Sequence, residues 1–192
     1  MPTWLSVALL LALLVLALWG MRAGWRNRTR RTALLVPTLP DVPADAGPAR
    51  TEPAEAVYVS STRAGDWLDR VAAHGLGDRS PAVVSVHDAG VLLRRPGARD
   101  LWVPADRLSG VGTTRGQAGK FVGPEGLVVL TWVPDPATGT ALDTALRMRH
   151  DADKEPLLAA ARSLVRPGGH RDGADHDSAV PDSAPRPQEE QA

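Results

Sequence analysis

The sequence lacks cysteine altogether, and it has only one tyrosine and one phenylalanine among 192 residues. Without cysteine the chain has no disulfide, no thiolate metal site and no cysteine nucleophile. The 22 basic and 22 acidic side chains cancel, whereas a nucleic-acid-binding domain normally carries a basic excess. Nucleic acid is therefore not expected as a partner. Because 17 residues are proline and 18 are glycine, much of the chain cannot belong to a hydrophobic core. The length of the chain therefore allows one modest folded domain with extensions.

The longest apolar run lies at the amino terminus, from Trp4 to Met21, and contains no charged side chain. It is long enough for a transmembrane helix. A cleaved signal peptide is the competing interpretation, but it requires basic residues before the run and a small-residue cleavage site after it. Neither is present. We therefore expect residues 1–32 to form an uncleaved single-pass anchor.

Five arginines follow the apolar run and none precedes it; they are Arg22, Arg26, Arg28, Arg30 and Arg31. By the positive-inside rule, this asymmetry predicts an amino terminus outside the plasma (inner) membrane and a cytoplasmic remainder. The same cluster would attract anionic lipid headgroups. Orientation alone is the simpler explanation, because every such anchor needs it.

Two segments have compositions that disfavour regular structure. Residues 33–55 contain five prolines, which predicts an extended, semi-stiff linker. Residues 167–192 carry six acidic side chains against two arginines, which predicts a disordered acidic tail. The zero net charge therefore conceals a basic membrane end and an acidic free end.

Residues 56–166 carry the alternating and helical patterns of a folded domain. The patterns predict a strand at 57–59, a short helix from Asp66, a hairpin at 82–93, and strands at 101–103, 108–113, 127–133 and 142–148. An amphipathic helix over 157–165 follows, capped by Asp151 or Asp153 and ended by 167–169. Several short strands closed by one helix predict a mainly β fold, a small barrel or sandwich.

Five stretches carry a resemblance to a known family: VYVSSTRAGDWLDRVAAHGLGDRS, VVSVHDAGVLL, WVPADRLSGV, RGQAGKFVGPEGLVVLTW and ALDTALRMRH. They resemble the bacterial PH-like domain of actinobacterial single-pass membrane proteins, over about residues 56–166. The resemblance implies two near-orthogonal sheets forming a barrel with a carboxy-terminal helix at one end. It implies no catalytic residue. Some members of that group are labelled transporter or export protein.

Two patterns suggest chemistry only weakly. Ser85 and His87 share a strand face beside Asp88, but no nucleophile elbow surrounds any serine, and a solvated strand followed by a turn explains them. His170 and His176 lie among tail aspartates, where a metal ion would be adventitious. We predict no catalytic set, no cofactor, no metal and no small-molecule substrate.

The glycine-rich stretch 112–126 superficially resembles a phosphate loop. The spacing of a Walker motif fails, because its first glycine would fall at Thr114 and Phe121 replaces the hydroxyl that binds magnesium. The loop presents Arg115 and Lys120, which makes it a candidate anion or partner site. An ordinary long hairpin with glycines at positive φ explains the same residues.

These observations predict a non-enzymatic, membrane-tethered PH-like interaction module in the cytoplasm, with the lipid bilayer and another protein as partners. Phosphoinositide recognition is not expected, because the folded part has only a small basic excess. An accessory subunit of a membrane transporter or export complex is the alternative, and a hydrolase using His87 is a third hypothesis.

Overall fold

The computed structural model describes residues 3–114, 116–117, 120–121 and 126–165. A long amino-terminal helix, α1 (Thr3–Leu35), precedes the sheet, and a short helix, α2 (Lys154–Arg162), follows it. The strands between them are β1 (Ala54–Arg63), β2 (Asp66–Arg70), β3 (Ser80–His87), β4 (Gly90–Arg94), β5 (Leu101–Pro104), β6 (Leu108–Thr114), β7 (Gly116–Gln117), β8 (Lys120–Phe121), β9 (Leu127–Trp132) and β10 (Leu142–Met148).

Eight strands form one antiparallel sheet in the order β5-β4-β3-β1-β10-β9-β6, with β2 paired to the end of β1. β7 and β8 form a separate two-stranded hairpin. This arrangement confirms the mainly β class and the carboxy-terminal helix. The sheet is not closed, since β5 and β6 remain its edges within the described residues, so an open antiparallel sheet stands where a barrel was expected.

The core lies on the face of the sheet that α2 covers, where alternate side chains of β1, β3 and β10 meet. Tyr58, Trp132 and Leu146 are fully buried there, and Leu157 and Leu158 of α2 join the same cluster. The helical stripe of α2 therefore predicted its buried face correctly, whereas β4 and β5 are buried on both faces and do not alternate. The helix begins after Asp153, which makes no side-chain capping bond.

The short helix predicted from Asp66 is wrong, because these residues form β2. The Oδ1 atom of Asp66 accepts hydrogen bonds from the amides of Leu68 and Asp69, as a helix cap would, but the chain then extends. Residues 67–69 form a bulge, since Arg63 pairs with Asp66 and Thr62 with Arg70. Trp67 and Leu68 are more than half exposed, so the apolar residues that suggested the buried face of a helix are not buried.

The proline-rich segment 36–53 has no helix or strand, as its composition predicts, yet it lies against the sheet. Val36 and Leu39 belong to the core cluster, and the hydroxyl of Thr38 donates to Asp135 Oδ2 at 3.0 Å. Farther along, the amide of Arg50 donates to the carbonyl of Val86. Prolines prevent helix and strand formation, but they do not prevent side chains from packing against a sheet. This segment is therefore packed on the domain, whereas the sequence predicted an extended linker.

Candidate functional site

A groove of about 450 Å³ lies along β1 and β3, on the face of these strands that is turned away from the core. Its lining residues are Glu55, Ala56, Val57, Arg79, Ser80, Pro81, Ala82, Val83, Pro96 and Arg149. Val57 and Val83 are half-buried and Pro81 is exposed, so the floor is apolar and accessible to solvent.

Strand register places exposed arginines on both sides of this floor. On one side Arg147 of β10 pairs with Val57, and Arg149 donates its amide to the carbonyl of Glu55. On the other side Arg94 of β4 pairs with Val83. Together with Arg79, these residues form a surface that we call the arginine groove: Glu55, Val57, Arg79, Pro81, Val83, Arg94, Pro96, Arg147 and Arg149.

The charge of the arginine groove is strongly one-sided. Glu55 is the one acidic side chain of the groove. It forms an ion pair with Arg149, in which Glu55 Oε2 lies 3.2 Å from Arg149 Nε. Arg79, Arg94 and Arg147 form no ion pair with any residue that the structure describes. Three uncompensated guanidinium groups around an apolar floor favour a ligand that is acidic at its ends and apolar between them.

Arg95 holds one rim of the groove in place from inside the protein. Its side chain is 2% exposed, and its Nε donates to Ser80 Oγ at 2.9 Å. Its Nη2 donates to the carbonyls of Gly75 and Asp78, both at 3.0 Å. Burial lowers the pKa of Arg95 from its ordinary value. Because Arg95 is fixed, its neighbours Arg94 and Pro96 are fixed as well.

A buried network of hydrogen bonds begins at Tyr58, whose ring lies against the Arg95 guanidinium. The Tyr58 hydroxyl donates to the carbonyl of Leu76 and shares a 2.8 Å hydrogen bond with Ser61 Oγ. Ser61 bonds Thr144 Oγ1 at 2.7 Å, and Trp132 Nε1 donates to that same oxygen. Burial raises the pKa of Tyr58 to about 12. Each of these buried polar groups has a hydrogen-bond partner inside the protein, so the network stabilises the sheet beneath the groove.

A second notable contact joins α1 to the folded domain. Thr32 is buried, and its Oγ1 accepts hydrogen bonds from the amides of Ala72 and Ala73 at 3.2 and 3.0 Å. The Nε2 atom of His74 lies 2.8 Å from the carbonyl oxygen of Val36. We call Thr32, Val36, Ala72, Ala73 and His74 the helix junction. It connects α1 to the loop between β2 and β3 without an intervening spacer.

The apolar part of α1 is fully exposed. Val7–Gly24 has a mean hydropathy of 2.1 and none of its residues is buried. Its length and composition suit a membrane span, and a signal sequence near an amino terminus has the same properties.

Residues 36–162 match the family model described as Bacterial PH domain-like. The chain belongs to this family. The match begins at Val36, so it includes part of the proline-rich segment as well as the sheet and α2. PH-like domains are generally non-catalytic modules that bind lipids or proteins. No curated protein matches the chain.

The site residues predicted in the anchor lie on one continuous helix. Arg22 is exposed on α1, directly after the apolar stretch. Arg26, Arg28, Arg30 and Arg31 occupy the next turns of the same helix, between that stretch and the helix junction. The structure therefore places the arginine cluster between the candidate span and the PH-like domain.

The predicted ligand loop is only partly described. Lys120 lies in β8 opposite Gln117 of β7, and Arg115 lies outside the described residues. The backbone of β7 lies beside β1 and β2 of the PH-like domain. The tail residues His170 and His176 also lie outside the described residues, and the described part contains no cluster of potential metal ligands.

The proposed hydrolase pattern is not assembled. Ser85 Oγ lies 3.0 Å from His87 Nε2, but His87 Nδ1 faces the carbonyl oxygen of Gly47 at 3.1 Å. Asp88 instead pairs with Arg50 at 2.6 Å. Ser85 is also buried rather than solvent-facing as we expected. Without a carboxylate on the imidazole, these contacts serve as structural bonds at the end of a hairpin.

The arginine groove is the part of the site that sequence reasoning missed. Arg147 and Arg149 are both exposed, as alternation along this stretch of the sequence requires. Their proximity to Arg79 and Arg94 depends on strand order, because β10, β1, β3 and β4 are neighbours in the sheet but not in the sequence. No local pattern carries that information.

Proposed function

We propose that this chain is a non-enzymatic interaction module anchored in the plasma (inner) membrane. In this proposal α1 spans the bilayer with its amino terminus outside, and the PH-like domain lies in the cytoplasm. The five arginines that follow the apolar stretch support this orientation by the positive-inside rule.

The helix junction is the observation that carries the proposal. α1 continues without a break from the apolar stretch to Thr32, where it is hydrogen-bonded to the domain. Thr32 lies eight positions after Gly24, which corresponds to about 12 Å along a helix. The domain would thus be fixed close to the membrane surface rather than suspended on a flexible tether.

The arginine groove supports an acidic protein segment as the partner of this module. Its apolar floor between Val57 and Val83 suits a short peptide, and its guanidinium groups suit carboxylates at the peptide ends. A bare headgroup would leave the apolar floor uncovered, so we favour a protein partner over a lipid.

Topology can be tested with single cysteines, because the chain has none of its own. A reporter at Ala137→Cys lies on an exposed turn of the domain, and Pro2→Cys reports the amino terminus. A membrane-impermeant maleimide should label Ala137→Cys only in inverted vesicles and Pro2→Cys only in right-side-out vesicles. Labelling of Ala137→Cys from outside, or a soluble protein shortened at its start, would refute the proposal.

The partner can be sought by placing a photocrosslinking residue at Arg94 in intact cells. A matched probe at Ala137 lies on a different loop. Capture from position 94 should be lost when Arg147 and Arg149 are both changed to Glu, whereas capture from position 137 should not change. If the captured protein spans the membrane several times, the chain acts as an accessory subunit of a transport or export complex.

A further inference from the structure

The arginine groove has a definite width, and this width limits its ligand. Arg147 of β10 and Arg94 of β4 are separated by three strand spacings, across β1 and β3. At about 4.8 Å per spacing, they lie about 14 Å apart. An extended peptide covers that distance in four or five residues, at about 3.3 Å per residue. The groove therefore suits two acidic residues that flank a short apolar stretch.

The chain's own carboxy-terminal segment contains this pattern. Asp177 and Asp182 are five positions apart, and Ser178, Ala179, Val180 and Pro181 lie between them. The whole segment 167–192 has six acidic residues against two arginines. Its charge and its apolar centre thus complement the rims and the floor of the groove.

The end of α2 lies within reach of the groove. Arg50 donates to Ser163 Oγ and pairs with Asp88, so the end of α2 is held beside the turn between β3 and β4. Val83 lies five residues from Asp88 along β3, at about 16 Å. The twelve residues from 165 to 177 can span more than twice that distance.

We propose that residues 177–182 of this chain bind across its own arginine groove. Asp177 and Asp182 contact the arginines of opposite rims, and Val180 and Pro181 cover the floor at Val57 and Val83. The segment thereby competes with any acidic partner, and because it is part of the same chain its effective concentration is in the millimolar range. The inference rests on the groove being the partner site of the proposed function.

The test uses the full chain in lipid vesicles, with two introduced cysteines and a short bismaleimide. Val180→Cys is combined with Pro96→Cys at the groove, or with Ala159→Cys on the exposed side of α2. Ala159 is closer to the start of the tail, so an unbound tail would react faster there. We expect crosslinking to Pro96→Cys within one chain at least ten times faster than to Ala159→Cys. A rate equal to or below that of the Ala159 pair, or crosslinks only between chains, would overturn the inference.

A second measurement separates this inference from the proposed function. A labelled synthetic peptide of residues 172–187 is titrated against the wild-type chain and against the chain with Asp177→Arg and Asp182→Arg. If the tail occupies the groove, the double variant binds the peptide at least ten times more tightly. Equal binding to both chains, lost on changing Arg147 and Arg149 to Glu, would refute self-occupancy while leaving the groove as an acidic-ligand site.

Discussion

The guanidinium carbon of Arg95 lies 3.8 Å from the centroid of the Tyr58 ring, and both side chains are buried. The buried cation contacts the ring face, two carbonyl oxygens and the Ser80 hydroxyl rather than a carboxylate. A planar guanidinium stacks flat on a ring while its rigid fork of donors reaches several acceptors at once, and a lysine ammonium lacks this planar fork. This arrangement joins the loop before β3 to the loop after β4.

Arg95→Lys should therefore destabilise the protein much more than its neighbour Arg94→Lys. The lysine retains a buried charge but loses the forked contacts to Ser80, Gly75 and Asp78, so we expect a loss of about 3 kcal/mol. Arg94 is exposed, and its substitution should change stability by less than about 0.5 kcal/mol. Urea unfolding in detergent, followed by tryptophan fluorescence, measures both. Equal midpoints for the two variants would show that the buried contacts contribute little.

Stability should also fall between pH 10 and pH 12 because of Tyr58. Burial raises the pKa of Tyr58 to about 12, whereas the unfolded chain titrates near pH 10. The contribution of Tyr58 to the free energy of unfolding is complete below pH 10. It is lost as the pH rises toward 12, because the tyrosine of the unfolded chain releases its hydroxyl proton at a lower pH than the buried one. The loss is on the order of 3 kcal/mol. In Tyr58→Phe this part of the pH dependence should disappear, although the variant is less stable at pH 7. An identical alkaline decline in both proteins would contradict the assignment.

The regular parts of this fold could be predicted from local patterns, and the site could not. The apolar run of β9, the alternation in β10 and the turn at Asp88 to Gly90 each depend on neighbouring residues, so local patterns predicted them correctly. The pattern failed at Trp67 and Leu68, because an Asx turn at Asp66 resembles a helix cap and exposed apolar residues resemble a buried face. The groove and the burial of Val36 depend on contacts between distant segments, which have no local signal.

Gly90→Ala should be one of the most damaging single substitutions in the domain. A Cβ at this position would lie 2.3 Å from the carbonyl oxygen of Val103 and 2.9 Å from the Trp102 ring. β4 and β5 would have to separate, so we expect a loss of several kcal/mol. Gly139→Ala is the control, because its φ of 62° is unfavourable for alanine but its Cβ meets nothing within 4 Å. We expect Gly139→Ala to cost about 1 kcal/mol, measured by the same unfolding experiment. Similar losses in the two variants would argue against the close approach at Gly90.

Thr32→Val should loosen the helix junction without unfolding the domain. Valine keeps the shape of threonine but removes the oxygen that accepts from Ala72 and Ala73, so two buried amides lose their partner. Each unsatisfied amide costs about 1–3 kcal/mol, and Thr32→Ser, which keeps the hydroxyl, is the matched control. Hydrogen exchange in lipid vesicles should show the amides of Ala72 and Ala73 exchanging at least ten times faster in the valine variant. The amides of β9, far from α1, should exchange at the wild-type rate. Unchanged protection of Ala72 and Ala73 would mean that the hydroxyl does not hold the domain to the helix.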